Sequence, residues 1–244
     1  MTSAPDPQRV IVTGAARGIG RAIASAFAGA GHHVCALDLA DTLAATADEI
    51  GASAVRVDLG DPADVERAMA DAIDGLGGVD VLVNNAGIFE IVDLLDITVE
   101  QWDRMFAVNT RSMLLTIQAA APVMRARGGG RIINQASMGG KWGAAGQAHY
   151  AASKAAVISL TQVAAKELGA AGITVNCMCP GYVLTEMGAE TRTAEQVAEW
   201  SSLSPLGRCA SVDDVAGVAM FLASPGAAYL TGQAINVTGG MIMH

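Results

Sequence analysis

Tyr150 and Lys154 stand four residues apart inside a stretch, 148–170, whose composition predicts a helix. At that separation two side chains share one helix face, with Cβ atoms about 6 Å apart, so an ammonium can act on a phenol. A free tyrosine ionises near a pH of about 10, and a neighbouring cation favours the phenolate. Such a pair can accept a proton nearer neutral pH, which is what hydride removal from an alcohol requires. The spacing is not specific by itself, because an amphipathic tyrosine beside a surface lysine has the same pattern.

A second group of residues suits a dinucleotide. After an apolar run at 9–13 comes Thr13-Gly14-Ala15-Ala16-Arg17-Gly18-Ile19-Gly20, with a helix predicted from Gly18. Glycines let the backbone turn tightly and approach a pyrophosphate with no Cβ in the way, while free N–H groups and the helix dipole face the anion. In a chain with 28 glycines such a triplet is weak alone; its place between a strand and a helix strengthens it. Asp38 closes the second predicted strand, 18 residues beyond Gly20, where a carboxylate can accept hydrogen bonds from an adenosine ribose. It would repel a 2′-phosphate that Arg17 in the loop could welcome, so the two residues disagree. Leu39, standing where a phosphate site would want a second base, tips the reading to NAD. A strand-end cap is the structural alternative for Asp38.

These groups need a frame that gathers residues distant in the chain. Short runs rich in Val and Ile at 9–13, 33–38, 54–57, 79–84, 131–135, 173–177 and 233–237 predict seven strands. Ala-rich stretches at 18–30, 62–75, 99–127, 148–170 and 212–223 predict helices between them, Asp61-Pro62 reading as a cap followed by a first-turn proline. Most strand runs are apolar without alternation, as expected when helices cover both faces of a parallel sheet. The fold class is α/β. No charged or proline-rich linker divides the chain, so a single domain spans 1–244, and the irregular stretch 181–207, with Thr191, Arg192, Thr193 and a short helix up to Trp200, is expected to form a flap over a site.

Composition sets outer limits. The 244 residues are 52% hydrophobic and 16% charged, enough apolar material for one large core and too much for a disordered chain. Acidic residues exceed basic ones by 24 to 15, a formal charge of −9 that argues against a nucleic-acid partner. Cys35, Cys177, Cys179 and Cys209 lack the spacing of a zinc set and read as free thiols, with no metal expected. No run of 18 apolar residues is present, and residues 1–8 hold no basic segment leading into an apolar one, so the expectation is a cytoplasmic protein without membrane contact.

The glycine loop, Asn84-Asn85-Ala86-Gly87, Asn109, Ser137, Tyr150 with Lys154, and Pro180-Gly181 with Thr185 together resemble the short-chain dehydrogenase/reductase family. Order and spacing agree over nearly the whole chain, including the 13 positions from Ser137 to Tyr150. The resemblance implies a Rossmann-like, doubly wound, seven-stranded parallel sheet with the site at the carboxyl ends of the strands. It implies Tyr150 as general acid/base, Lys154 lowering its pKa and binding the nicotinamide ribose, Ser137 bonding the substrate oxygen, and Asn109 completing a water-linked proton relay. Taken singly, Ser137 reads as a turn serine and Asn109 as a polar residue at a helix kink. For the cofactor it implies Gly14, Arg17, Gly18, Ile19 and Gly20 at the pyrophosphate and Asp38 at the ribose. Asp58 and Leu59 fall to the adenine, Asn85, Ala86 and Gly87 to the adenosine ribose, and Pro180, Val183 and Thr185 to the carboxamide.

The implied reaction is reversible NAD-dependent oxidation of a secondary alcohol. Residues 138–147, including Lys141, Trp142 and Gln147, then Tyr182, Met187 and the flap mix polar and aromatic groups suited to a polyol, sugar or diol. Stretches 155–162, 180–187 and 206–209 also resemble bacterial polyol and butanediol dehydrogenases. A 3-oxoacyl-thioester reductase using NADPH is the enzymatic alternative, and a non-catalytic dinucleotide-binding sensor or scaffold the alternative of another class. His149 is read as a surface or interface residue, one position off the Tyr150 face. The family implies a homotetramer, with the apolar tail 239–243 at an interface.

Overall fold

The computed structural model describes residues 7–185 and 192–244. Strands β1 (Arg9–Thr13), β2 (His33–Asp38), β3 (Ser53–Arg56), β4 (Val81–Asn84), β5 (Gly130–Gln135), β6 (Ile173–Pro180) and β7 (Ala234–Val237) form one sheet in the order β3-β2-β1-β4-β5-β6-β7. Every pairing is parallel. The order reverses between β1 and β4, the place where such sheets open a crevice at the carboxyl ends of their strands. The fold is the expected Rossmann-like, doubly wound α/β architecture.

Adjacent residues within a strand serve different cores, which is why the runs do not alternate. Val10, Val12, Val81 and Val83 pack with Ile23 and Phe27 of α1 (Gly18–Gly29) and with Val215 and Leu222 of α8 (Val212–Ala223). Ile11, Leu82, Ile132 and Val175 face the other way, against Met69 of α3 (Pro62–Leu76), Met124 of α5 (Ser112–Ala126) and Ala165 of α6 (Ala148–Leu168). Helix starts are cut where side chains replace missing backbone partners. The Asp61 carboxylate accepts from the Ala63 N–H ahead of α3, and Ser211 with Asp214 forms a reciprocal capping box on α8.

Three boundaries depart from the sequence expectation. Helix α2 (Leu43–Ile50), ended by Gly51 at φ +72°, fills a stretch with no predicted element; at eight residues it is too short for an apolar period to mark it. The single helix predicted over 99–127 is instead α4 (Val99–Phe106), a π-helical turn at Ala107–Arg111 and then α5. Strand β6 runs on to Pro180, bringing the Pro180-Gly181 turn directly to the sheet edge. Beyond residue 192, α7 (Ala194–Ser202) matches the expected short helix, capped by Thr193 and Gln196.

A buried polar ladder crosses the middle of the sheet. Thr116 Oγ1 donates to Asn84 Oδ1 (2.7 Å), Asn84 Nδ2 to Asn134 Oδ1 (3.0 Å), and Asn134 Nδ2 to Thr161 Oγ1 (3.0 Å). All four residues are buried, so the ladder ties α5 and α6 to the carboxyl ends of β4 and β5 in register. Replacing Asn134 by the similarly sized Leu strands the Asn84 amide and is expected to cost about 1–3 kcal/mol. Equilibrium urea unfolding checks this; an unchanged midpoint contradicts the ladder's role.

Candidate active site

The glycine loop is built by fastening β1 to β4. Thr13 Oγ1 accepts from the N–H groups of Asn85 and Ala86 (both 3.1 Å), and Asn85 Nδ2 donates to the carbonyls of Thr13 (3.0 Å) and Gly14 (3.2 Å). Contact this close excludes side chains. A Cβ on Gly14, which sits at φ +67°, would lie 2.8 Å from Ala86 Cα, and one on Gly20 would enter the Gly14 carbonyl oxygen. Helix α1 then begins at Gly18 with no side chain capping it, leaving its first N–H groups and dipole directed at the crevice.

That crevice is a cleft of about 910 Å³. Its lining includes Gly14, Arg17, Gly18, Ile19, Gly20, Asp38, Asp58, Leu59, Asn85, Ala86, Gly87 and Thr185, the last packed over Gly18. Ile88, Arg104 and Val108 also line it, and sequence reasoning missed all three, since α4 and the π turn reach the cleft only through the fold. The Asp38 carboxylate accepts from the N–H of Ala16 and of Ala40, each at 3.0 Å. It therefore caps the strand end and lines the cleft at once, so the two readings of Asp38 are compatible. The bare N–H row, the Cβ-free loop and the acidic wall suit a dinucleotide in shape and charge.

Asn109, Ser137, Tyr150, Lys154, Pro180 and Val183 are not part of that lining. A Cβ on Gly87, a cleft residue, would stand 3.1 Å from Asn109 Oδ1 and 3.2 Å from Lys154 Nζ. A Cβ on Gly139 would stand 3.4 Å from Ser137 Oγ and 3.5 Å from Tyr150 Cε1. Two glycines thus mark where the four side chains draw together in pairs. Asn109, fully buried on the π turn, is held by Ile88 through both its backbone N–H (2.8 Å) and carbonyl (3.0 Å), and donates to Ser153 Oγ (3.1 Å). Val183, at the segment following Pro180, bridges to Ala210.

The electrostatics of the free chain correct one expectation. In the coenzyme-free chain burial holds the Tyr150 phenol above its ordinary value and the Ser137 hydroxyl pulls it back, so the lowering expected from Lys154 is not expressed before coenzyme binds. Lys154 Nζ stands 5.9 Å from the Tyr150 ring centre and donates to the Gln135 carbonyl (2.8 Å). Its own pKa is pulled down to about 8 by burial, against the opposing pull of Cys179 and Cys177. The free cysteines are all buried.

Three further expectations change. Lys141 does not face a substrate: Nζ donates to the Ala234 carbonyl (2.7 Å) and Asn236 Oδ1 (2.8 Å), pinning the loop after Ser137 to β7. His149 is wholly buried rather than on the surface, its Nε2 3.8 Å from Glu90 Oε2. Tyr182 is stacked flat on Trp200 (4.6 Å, 6°), with Arg192 over the other ring, so one face of Tyr182 is covered. Gln147 does approach the Ser137 and Tyr150 pair, its Oε1 3.7 Å from the same Gly139 position. Met187 and Thr191 lie outside the described residues.

A family model described as "Enoyl-(Acyl carrier protein) reductase" matches residues 14–242. The chain is 41% identical to a sorbitol dehydrogenase of Cereibacter sphaeroides, over 96% of this chain and 97% of that one. It is 40% identical to a 3-oxoacyl-[acyl-carrier-protein] reductase of Synechocystis, over 97% of both. The structure of a putative NAD(P)-dependent gluconate 5-dehydrogenase from Beutenbergia cavernae, with NADP bound at low occupancy, superposes with a TM-score of 0.90 at 39% identity, covering 95% of each chain. The fold, the cleft and these matches define an oxidoreductase that uses a nicotinamide dinucleotide. The chain belongs to the short-chain dehydrogenase/reductase family.

The Lys154 environment has a measurable consequence in the cofactor-free protein. The unfolded chain keeps this proton up to the ordinary value of 10.5, whereas the folded chain gives it up near 8. Between those limits unfolding takes up a proton, so this residue's contribution to stability rises with pH. The unfolding free energy of the wild type relative to Lys154→Met is expected to rise from pH 8 towards 10.5, by on the order of 3 kcal/mol in total. Chemical denaturation across that range checks it; a constant difference contradicts a desolvated ammonium.

Proposed function

We propose that the protein catalyses reversible oxidation of a secondary alcohol of a polyol, sugar or diol to the ketone, with NAD as coenzyme, and does so as a single catalytic domain. The observation that carries the reading is the meeting of Ser137 with Tyr150 and of Asn109 with Lys154 beside a glycine-loop cleft at one end of the sheet. Gly14, Arg17, Gly18, Ile19 and Gly20 would hold the pyrophosphate, and Asp38 the adenosine ribose. Asp58 and Leu59 would contact the adenine, with Asn85, Ala86 and Gly87 beside the ribose. Pro180, Val183 and Thr185 would hold the carboxamide.

Bound NAD would supply the hydride acceptor and a positive ring near the phenol. Tyr150 takes the hydroxyl proton, Ser137 holds the same oxygen, and the Lys154 ammonium stabilises the negative charge that develops on the phenol. Asn109, whose carboxamide is fixed on Ile88, would steady the water that passes the proton outward.

Asp38 followed by Leu39 supports NAD over NADP, because a carboxylate repels a 2′-phosphate and leucine offers it no cation. The sorbitol dehydrogenase likeness supports the polyol class. A nearly equal likeness to a 3-oxoacyl thioester reductase, together with Arg17 in the cleft, supports a second reading as an NADPH-dependent ketone reductase. A homotetramer and a cytoplasmic location accompany the proposal as properties usual in the family. No helix among the described residues is long and apolar enough to cross a membrane.

A panel of hexitols, diols, hydroxy acids and 3-oxoacyl thioesters, assayed with each coenzyme at the nicotinamide absorbance band, tests the proposal. Turnover of polyols with NAD is expected, and thioester reduction with NADPH alone overturns it. Tyr150→Phe is expected to lower kcat about 10²–10⁴-fold while leaving coenzyme binding intact. Retained turnover in that variant would remove the phenol from the mechanism. Asp38→Ala with Leu39→Arg is expected to shift the coenzyme ratio at least tenfold towards NADP.

A further inference from the structure

The segment after β4, residues 88–92, is hydrogen-bonded at both ends, with Glu90 near two basic side chains between them. Asn109 grips Ile88 through both backbone groups. The Glu90 carboxylate lies 3.8 Å from His149 Nε2 and 3.9 Å from Arg104 Nη1. The Val92 N–H donates to the Gly146 carbonyl at 2.9 Å. Ile88, Glu90 and Val92 are half-buried, and the side chains between them are turned outward. Those are Phe89, 52% exposed, and Ile91, 71% exposed. The Phe89 ring meets the Tyr150 ring edge to face, 86° apart with centres at 4.8 Å.

A half-exposed aromatic ring held rigidly against the phenol is an apolar wall at the reacting group. It has no hydrogen-bonding atom, so it accepts the C–H side of a carbon chain and rejects the O–H side. We infer that Phe89 is a specificity-determining residue: it packs on the C–H face of the chain beside the reacting carbinol, and so selects which hydroxyl-bearing carbon, in which configuration, is presented to Tyr150. Asn109 is the positioning residue for this wall, acting through both backbone groups of Ile88. The inference rests on the alcohol-oxidising reading and assigns a substrate-facing role to a position outside the loops that vary after Ser137 and Pro180.

The experiment compares wild type, Phe89→Ala and Phe89→Leu on two substrates differing only in configuration at the oxidised carbon, such as a pair of epimeric hexitols, with NAD affinity followed by fluorescence titration. For Phe89→Ala the alcohol KM is expected to rise about tenfold, with kcat changing less, the preference between epimers to shrink by a similar factor, and the NAD affinity to hold. Phe89→Leu restores most of the KM but less of the preference. An unchanged KM and preference in Phe89→Ala overturns the assignment. So does an unchanged KM with loss of the native oligomer on sedimentation, which would place Phe89 in a subunit interface instead. If the wild type turns over no polyol but reduces another carbonyl, the polyol reading fails alone, and the same ratio read on two alcohols of that class decides Phe89. A wild type that turns over nothing overturns both.

Discussion

One ammonium sits inside this protein with 3% of its residue exposed, donating to a single backbone carbonyl at the end of β5. Burying a cation is costly unless its surroundings compensate, and the depressed pKa of Lys154 measures how incomplete that compensation is in the free chain. The arrangement around it makes sense as preparation for charge that arrives later. Gly87, with no side chain, leaves the space next to Nζ open, and Asn109 supplies a fixed dipole on the same side.

Holding the charge there takes a rigid frame. The Asn84, Asn134, Thr116 and Thr161 ladder fixes α5 and α6 against the two central strands, and Lys154 is carried on α6 seven residues before Thr161. The π turn at Ala107–Arg111 does the matching work on the opposite side. Its extra residue turns Asn109 inward, where one carboxamide satisfies both backbone groups of Ile88 and reaches Ser153 on α6. The cleft and the side-chain cluster are thus two consequences of the same junction, at which the sheet changes direction.

Much of this was legible in the linear chain because it is local. The Tyr150 and Lys154 spacing, the glycine loop between a strand and a helix, the Asp61-Pro62 start of α3 and the positions of seven strands depend on neighbours a few residues apart. What was not legible depends on contacts across the chain. Lys141 looked like a pocket residue because its partners, Ala234 and Asn236, lie more than ninety positions away. His149 was read as a surface or interface residue since helix periodicity places it off the Tyr150 face, but periodicity does not show that Glu90 comes up against that flank. Phe89 gave no signal for the same reason. The composition of α4 and α5 is continuously helical, so Asn109 alone hinted at a kink, and the π turn itself is defined by the grip of Asn109 on Ile88.

The most direct test of the central claim, that Lys154 makes Tyr150 an effective proton acceptor, is the pH dependence of alcohol oxidation at saturating coenzyme in wild type and Lys154→Met. A single ionisation should control the rising limb of kcat/KM, and it should move to higher pH when the ammonium is removed, because in the coenzyme-bound site the phenolate then loses the cation that offsets its burial. A limb that keeps its position in the variant would contradict the account, leaving Lys154 as a structural cation and placing the proton acceptor elsewhere.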